Sequence, residues 1–216
     1  MATQGPLIDR PGGERPVPAP VLPTPDPHVP DPAPLGLAGF AFTTFLLSIS
    51  NTHVWPTAAN GALAAAIFYG GLGQLLAGMW EFRRANGFGA VAFTSYGAFW
   101  LATWYFVEHG GTTDPYAFGS FLLGWTIFTF YMMIGSLRVS GAIFAVFLLL
   151  EATFLVLTIA AFETSGPTGG LTKFGGWLGV ATAAVAWYAS AAGIINGTFK
   201  RTVLPTYPAT VRTHAI

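Results

Sequence analysis

Glu151 sits between FAVFLLL and ATFLVLT, the most apolar surroundings of any charged residue in the chain. An ionised carboxylate in such a run is expensive, so it should be paired, protonated or open to water. No basic side chain stands in the middle of an apolar block to pair with it. What it offers is a proton or a hydrogen bond, given either to something that moves past or to a neighbouring carbonyl. Gln74 is a second isolated polar group, on a row of small residues, Ala62, Ala66, Gly70 and Gly78, that recur at intervals of four with it. Its amide is expected either to bond another helix or to contact a substrate, with equal weight. Glu81 lies beside Arg83 and Arg84 and reads as part of a solvated cluster at a block end, and Glu108 also ends a block. His28, His53, His109 and His214 all fall in tails or loops, so no pair can clamp a haem between helices. No lysine lies mid-block to form a Schiff base, and there is no cysteine. Nucleophile–base pairs, phosphate loops and metal-ligand spacings are missing from the sequence, so neither an enzyme nor a bound metal or cofactor is expected.

These groups must be positioned by elements that fold in lipid. Charged residues make up 8% of the 216 and hydrophobic ones 53%, against roughly a quarter charged in soluble domains. Mean hydropathy is +0.57. A spanning helix needs about 20 mostly apolar residues, and such blocks occur at about Leu35–Asn51, Ala58–Trp80, Phe88–Val107, Tyr116–Leu137, Ser140–Phe162 and Phe174–Gly197. Pro56, Asn86-Gly87, Asp114-Pro115 and Ser165-Gly166-Pro167 interrupt them. No two-residue alternation suggests an outer-membrane barrel. The expected fold is an all-α membrane protein, a bundle of six transmembrane helices over residues 35–198.

Arg10, Arg15, Arg83, Arg84, Arg138, Lys200, Arg201 and Arg212 lie in the two tails and the loops after the second and fourth blocks, whereas the other loops hold only Lys173. The positive-inside rule then predicts both termini in the cytoplasm. Trp55, Trp80, Trp104 and Trp177 stand near block ends, where interfacial anchors belong. A formal net charge of zero argues against a nucleic-acid partner. Residues 1–34 hold eleven of the sixteen prolines and no apolar block, which predicts an extended or disordered tail and not a cleavable signal. Residues 199–216 read as a cytoplasmic C-terminal tail.

The stretch DPAPLGLAGFAFTTFLLSISN, from Asp31 to Asn51, opens the membrane region. Asp31 can accept the free N–H groups of a first helical turn, and Pro32 suits the first helical position. This stretch, with IFYGGLGQLLAGMWEFRRANGFGAVAFTSYGAFW and FKRTVLP, resembles the acetate uptake transporter family, the GPR1/FUN34/YaaH group. The resemblance runs from Asp31 to about Pro205, and its APLG, YGG–Q–G–E and FTSYG motifs occur in the family's order.

What the resemblance implies goes beyond the residues. It implies a multi-pass protein of the inner or plasma membrane, assembled as a homo-hexamer. Each protomer would carry its own path for small monocarboxylates, chiefly acetate and in some members succinate. A hydrophobic constriction of phenylalanine, tyrosine and leucine would fall on Phe40, Tyr96 and, by ungapped placement from Gly135-Ser136-Leu137, Leu150. Asp31, Pro32, Pro34, Leu35 and Gly36 would form the entrance motif, with Asp31 where the family has asparagine. Aspartate and asparagine are near-equal N-caps, so capping is the favoured role. Gly36 and Gly39 would be close-packing positions that aim Phe40 inward.

Phe40, Thr43, Thr44 and Leu47 share a helix face by their spacing. The ring and Leu47 suit a methyl group, and the Thr43 and Thr44 hydroxyls can donate to a carboxylate. Asn51, Gln74 and Ser95 join them as substrate-binding candidates, and Glu151 is the proton-linked one. Channel, proton symport and anion exchange stay open at this stage. So do two other classes, a membrane acetate sensor or scaffold, suggested by the proline-rich tail, and a channel for ammonia or another small neutral solute.

Overall fold

The structure is a computed structural model that describes residues 29–163 and 169–209. The proline-rich segment up to residue 28, Ser165-Gly166-Pro167 and residues 210–216 lie outside the described residues. Among those described, six long helices carry the chain: Ala33–Asn51, Ala58–Arg83, Gly87–Glu108, Pro115–Ser136, Gly141–Phe162 and Gly170–Phe199. All but Gly87–Glu108 are long and apolar enough to cross a membrane by length and composition.

Local chemistry sets the helix starts. The Asp114 carboxylate accepts the N–H groups of Tyr116 and Ala117 at 2.9 and 3.4 Å, with Pro115 as the first helical residue. The Ser140 hydroxyl accepts the Ile143 N–H, and the Asn86 side-chain oxygen accepts the Gly89 N–H. At the first helix Asp31 accepts the Ala33 N–H at 3.1 Å. Pro32 stands just ahead of that helix and Pro34 is inside its first turn, one position later than the sequence suggests. The last helix ends at Lys200, whose φ of 54° reverses the chain.

The second helix is not uniform. Phe68–Gly73 forms a π segment between two α-helical halves. Four residues of an α-helix overshoot a full turn by about 40°, whereas the wider π turn undershoots it. The segment therefore offsets the accumulated drift, and Ala62, Ala66, Gly70, Gln74 and Gly78 are all buried. Close approach fixes the rest of this face. A Cβ at Gly39 would sit 2.5 Å from the Tyr69 carbonyl oxygen, and one at Gly70 would collide with the Thr43 hydroxyl. Small residues at such crossings let backbones meet, the main source of helix association in lipid.

The first helix is central. It packs most extensively on the sixth and also on the second; the sixth continues to the fifth, the fifth to the fourth, and the second to the third. Gly176 and Gly179 lie against Thr52 and Ser48 of the first helix and its end, and Ser190 donates to the Pro34 carbonyl at 2.7 Å. Hydroxyl pairs tie the outer neighbours: Thr126 with Thr158 at 2.9 Å, Thr153 with Thr182 at 3.3 Å, and Tyr96 with Thr129 at 2.9 Å. In lipid such bonds add modestly to packing, about 0.6 kcal/mol each.

Beyond Lys200 the chain folds back as a strap. Asn196 accepts the N–H groups of Val203 and Leu204 and donates to the Leu204 carbonyl, and Tyr188 donates to the Pro205 carbonyl. Gly141, Ala142 and Ala209 then bond across between this strap and the start of the fifth helix.

Candidate functional site

A cavity of about 80 Å³ lies between the first, second, third and fifth helices, at the end of the bundle that carries Ala33, Glu81 and Asn86. Helix direction places its inner residues. The first, third and fifth helices start at this end and the second finishes there, so Phe40, Tyr96, Leu150 and Gln74 all lie about two to two and a half turns in. Phe40, Tyr96 and Leu150 are each buried. The Phe40 and Tyr96 rings stand 5.8 Å apart at 58°, and Phe128 meets Tyr96 edge-on at 5.3 Å. The Tyr96 phenol is occupied by Thr129 of the fourth helix. Tyr96 therefore presents a ring to the cavity from a fixed position.

Most of the wall is apolar, with Leu37, Phe93, Val146 and Phe147 among its residues. Against it stand three polar side chains, Gln74, Glu81 and Asn86. A small apolar cavity with few polar groups fits a small amphipathic solute.

The profile of the GPR1/FUN34/yaaH family matches residues 13–210. The chain belongs to the GPR1/FUN34/yaaH family. It is 44% identical over 175 residues to Ammonia transport outward protein 2 of Saccharomyces cerevisiae, covering 76% of this chain and 61% of that protein. It thus spans about three fifths of the length of that yeast relative. With the succinate-acetate/proton symporter SatP of Escherichia coli K12 it shares 39% over 181 residues, covering 81% of this chain and 94% of SatP. The solved structure of the bacterial acetate channel SatP superposes with a TM-score of 0.76 at 35% identity, over 82% of this chain and 98% of that one. The helical architecture of the described residues therefore matches that of the SatP acetate channel, and relatives in the family are named for transport of ammonia, acetate or succinate and acetate.

Within this GPR1/FUN34/yaaH fold the other candidates fall in different places. Thr43 is fully buried, donates to the Gly39 carbonyl at 2.9 Å and packs against Gly70, away from the cavity wall. Thr44 is buried too, and its hydroxyl oxygen has no hydrogen-bond partner among the described residues. Ser95 is half-buried beside Tyr96 and Asn51 closes the far end of the first helix, and neither lines the cavity. Glu151 is half-buried at the middle of the fifth helix, off the cavity wall. One of its oxygens is buried without a partner among the described residues. Asp31 and Pro34 line a second hollow of about 210 Å³ at the same end, with Asn196 and Thr206. Leu35 is exposed, and Gly36 is pressed against the Phe93 ring.

Glu81 departs from expectation. Its side chain is 0% exposed and lies on the cavity, so it is not part of a solvated cluster. Asn86 donates to its Oε2 at 2.9 Å, and Oε1 is buried without a partner among the described residues. Its place on the helix carried the signal, since Gln74, Gly78 and Glu81 share one face by i, i+4 and i+7 spacing. The adjacent arginines masked it.

Proposed function

We propose that this chain passes small monocarboxylates, chiefly acetate and also succinate, across a membrane along a path within each protomer. The single observation that carries the reading is that Phe40, Tyr96 and Leu150 converge on one cavity in a chain of this family. On this reading they are the hydrophobic constriction, and the path enters at the end marked by Asp31, Glu81 and Asn86. That end is cytoplasmic by the distribution of Lys and Arg, and so are both termini. The working assembly is a homo-hexamer in the inner or plasma membrane, for which small-residue faces and many exposed apolar side chains offer contact surface. Thr44, whose buried hydroxyl has no partner among the described residues, is the candidate carboxylate donor beyond Phe40.

Proteoliposome uptake of labelled acetate and succinate, with and without an imposed pH gradient, tests this. Acetate entry well above that of empty vesicles is the expected result, and stimulation by an inward proton gradient would distinguish symport from a simple channel. A protein that admits neither solute overturns the reading.

A second reading is favoured by the similarity to a yeast protein named for ammonia transport. Labelled methylammonium uptake that acetate does not compete with would support it.

A further inference from the structure

We infer that Glu81, together with Gln74 and Asn86, is the site that binds the carboxyl group of the transported acid and exchanges a proton with it, an inference that rests on the carboxylate reading above. Two fully or almost fully buried polar side chains face one cavity with oxygens left without partners: Glu81 at 0% exposure and Gln74 at 1%. Buried polar atoms are nearly always satisfied, and an orphan that lines a cavity points to a ligand that is present at another time. Here two orphans stand on the same helix face, about 10 Å apart along the axis, on a wall otherwise made of apolar side chains.

The hydrogen bonds specify the chemistry. Asn86 donates to Glu81 Oε2, so that oxygen acts as an acceptor, and the proton of the acid form belongs on Oε1. The Glu81 O–H can then donate to an incoming carboxylate. As the proton passes to the substrate oxygen, the substrate becomes a neutral acid and Glu81 a carboxylate that keeps the Asn86 N–H. A neutral acid enters the apolar section of Phe40, Tyr96 and Leu150 far more readily than an anion does. Gln74, at the same depth as those three, suits the neutral acid, because an amide gives an N–H to its carbonyl and accepts its O–H. Water at the mouth, where Asn86 is exposed, returns a proton to Glu81.

The surroundings of Glu81 are simple. Among the described residues, charged groups that act on it include Asp31, ahead of the first helix, and Arg84, at the end of the second. The third helix brings Gly89 and its cap Asn86 against the carboxyl group, and neither titrates. A Cβ at Gly89 would come within 2.9 Å of Oε1, so glycine there leaves room for the carboxyl group.

The test measures labelled acetate uptake into proteoliposomes across a series of pH values. Glu81→Gln keeps the shape and can still accept the Asn86 N–H, yet it cannot carry the proton. It is expected to lower uptake at least about tenfold at the parent's optimum and to flatten the pH profile. Asn86→Asp keeps the cap on Gly89 but turns the donor into an acceptor, which should move the midpoint of the profile by about one unit toward higher pH. Should Glu81→Gln not reach the membrane, Asn86→Asp decides alone, and an unmoved midpoint overturns the assignment. So does a Glu81→Gln profile that follows the parent's, or a flat profile in Glu151→Gln beside a parent-like one in Glu81→Gln. A parent protein that passes no acetate at any pH overturns the carboxylate reading and this site together, whereas the other outcomes leave that reading standing.

Discussion

The phenol oxygen of Tyr96 lies 2.9 Å from the hydroxyl of Thr129, so a bond between the third and fourth helices holds the ring that lines the cavity. Since the phenol is spent on a helix neighbour, its role is to aim the ring. Tyr96→Phe and Thr129→Val should then have matching effects, each lowering stability by about 0.5–1.5 kcal/mol. The double variant should cost no more than either single change. Thermal unfolding in detergent checks the cycle. If Tyr96→Phe depresses acetate uptake while Thr129→Val leaves it intact, the phenol serves the substrate instead.

Glycine positions divide by what surrounds them. A Cβ at Gly39 would meet the backbone oxygen of Tyr69 at 2.5 Å, and that oxygen cannot move aside without disturbing the π segment. Gly124 has open space around it in the fourth helix. Gly39→Ala is expected to destabilise by about 1–3 kcal/mol, and Gly124→Ala to stabilise by about 0.4–1 kcal/mol. Melting temperatures of the purified variants provide the comparison, and equal shifts of the same sign would contradict it.

Much of the fold is legible in the sequence, because each span is an apolar run bounded by residues with a local role. Asp114-Pro115, Asn86-Gly87 and Ser140 all open helices where their chemistry says they should. Features that depend on a second element are not legible. The π segment is one of them, and Thr43 and Leu101 of other helices close on its Gly70 and Gly71. Glu81 reads as solvated beside two arginines, and its burial comes from Gly89 and Asn86 of the following helix and loop. Thr43 shares a face with Phe40 by spacing alone, yet its hydroxyl turns back to the Gly39 carbonyl, as threonine in helices often does. Tyr96 stands in a family motif, Phe40 in the LGLAGF segment that follows APLG, and Leu150 follows only by ungapped placement from Gly135-Ser136-Leu137; periodicity alone singles out none of them.

Asn196 holds the strap by three hydrogen bonds, two accepted and one donated. Asn196→Ala removes all three while leaving the Tyr188 bond to Pro205 in place. Cleavage by trypsin after Arg201, in the exposed turn that leads to the strap, should quicken several-fold, since local opening sets the rate of such cuts. Unchanged cleavage would mean that the contacts to Gly141 and Ala142 hold the strap without it.

Leu150 offers the way to alter size selection. It is 4% exposed and meets Phe40 and Tyr96 on the cavity wall. Leu150→Ala removes three carbons from the narrowest part of the proposed path, at a stability cost of about 2–5 kcal/mol if the space does not collapse. Uptake of succinate should rise relative to acetate, measured as a ratio in the same vesicles. A ratio that stays at the parent's value places the selecting step elsewhere.

Asp31 sets two effects against each other. Its carboxylate accepts the Ala33 N–H at 3.1 Å from one position ahead of the N-cap Pro32, a local bond that helps cap the helix and that asparagine makes equally well. It is also a negative charge at the end where an anion would enter, and there it should repel. The side chain is exposed, so water and salt weaken that repulsion over distances beyond about 8–10 Å, whereas the cap is a local bond that screening leaves alone. Capping should therefore dominate. Asp31→Asn is expected to transport acetate within about a factor of two of the parent, the span of a few tenths of a kcal/mol, while Asp31→Ala should lose about 0.5–1.5 kcal/mol of stability with that hydrogen bond. A several-fold gain in uptake for Asp31→Asn at low ionic strength, lost again in high salt, would show that the charge governs entry.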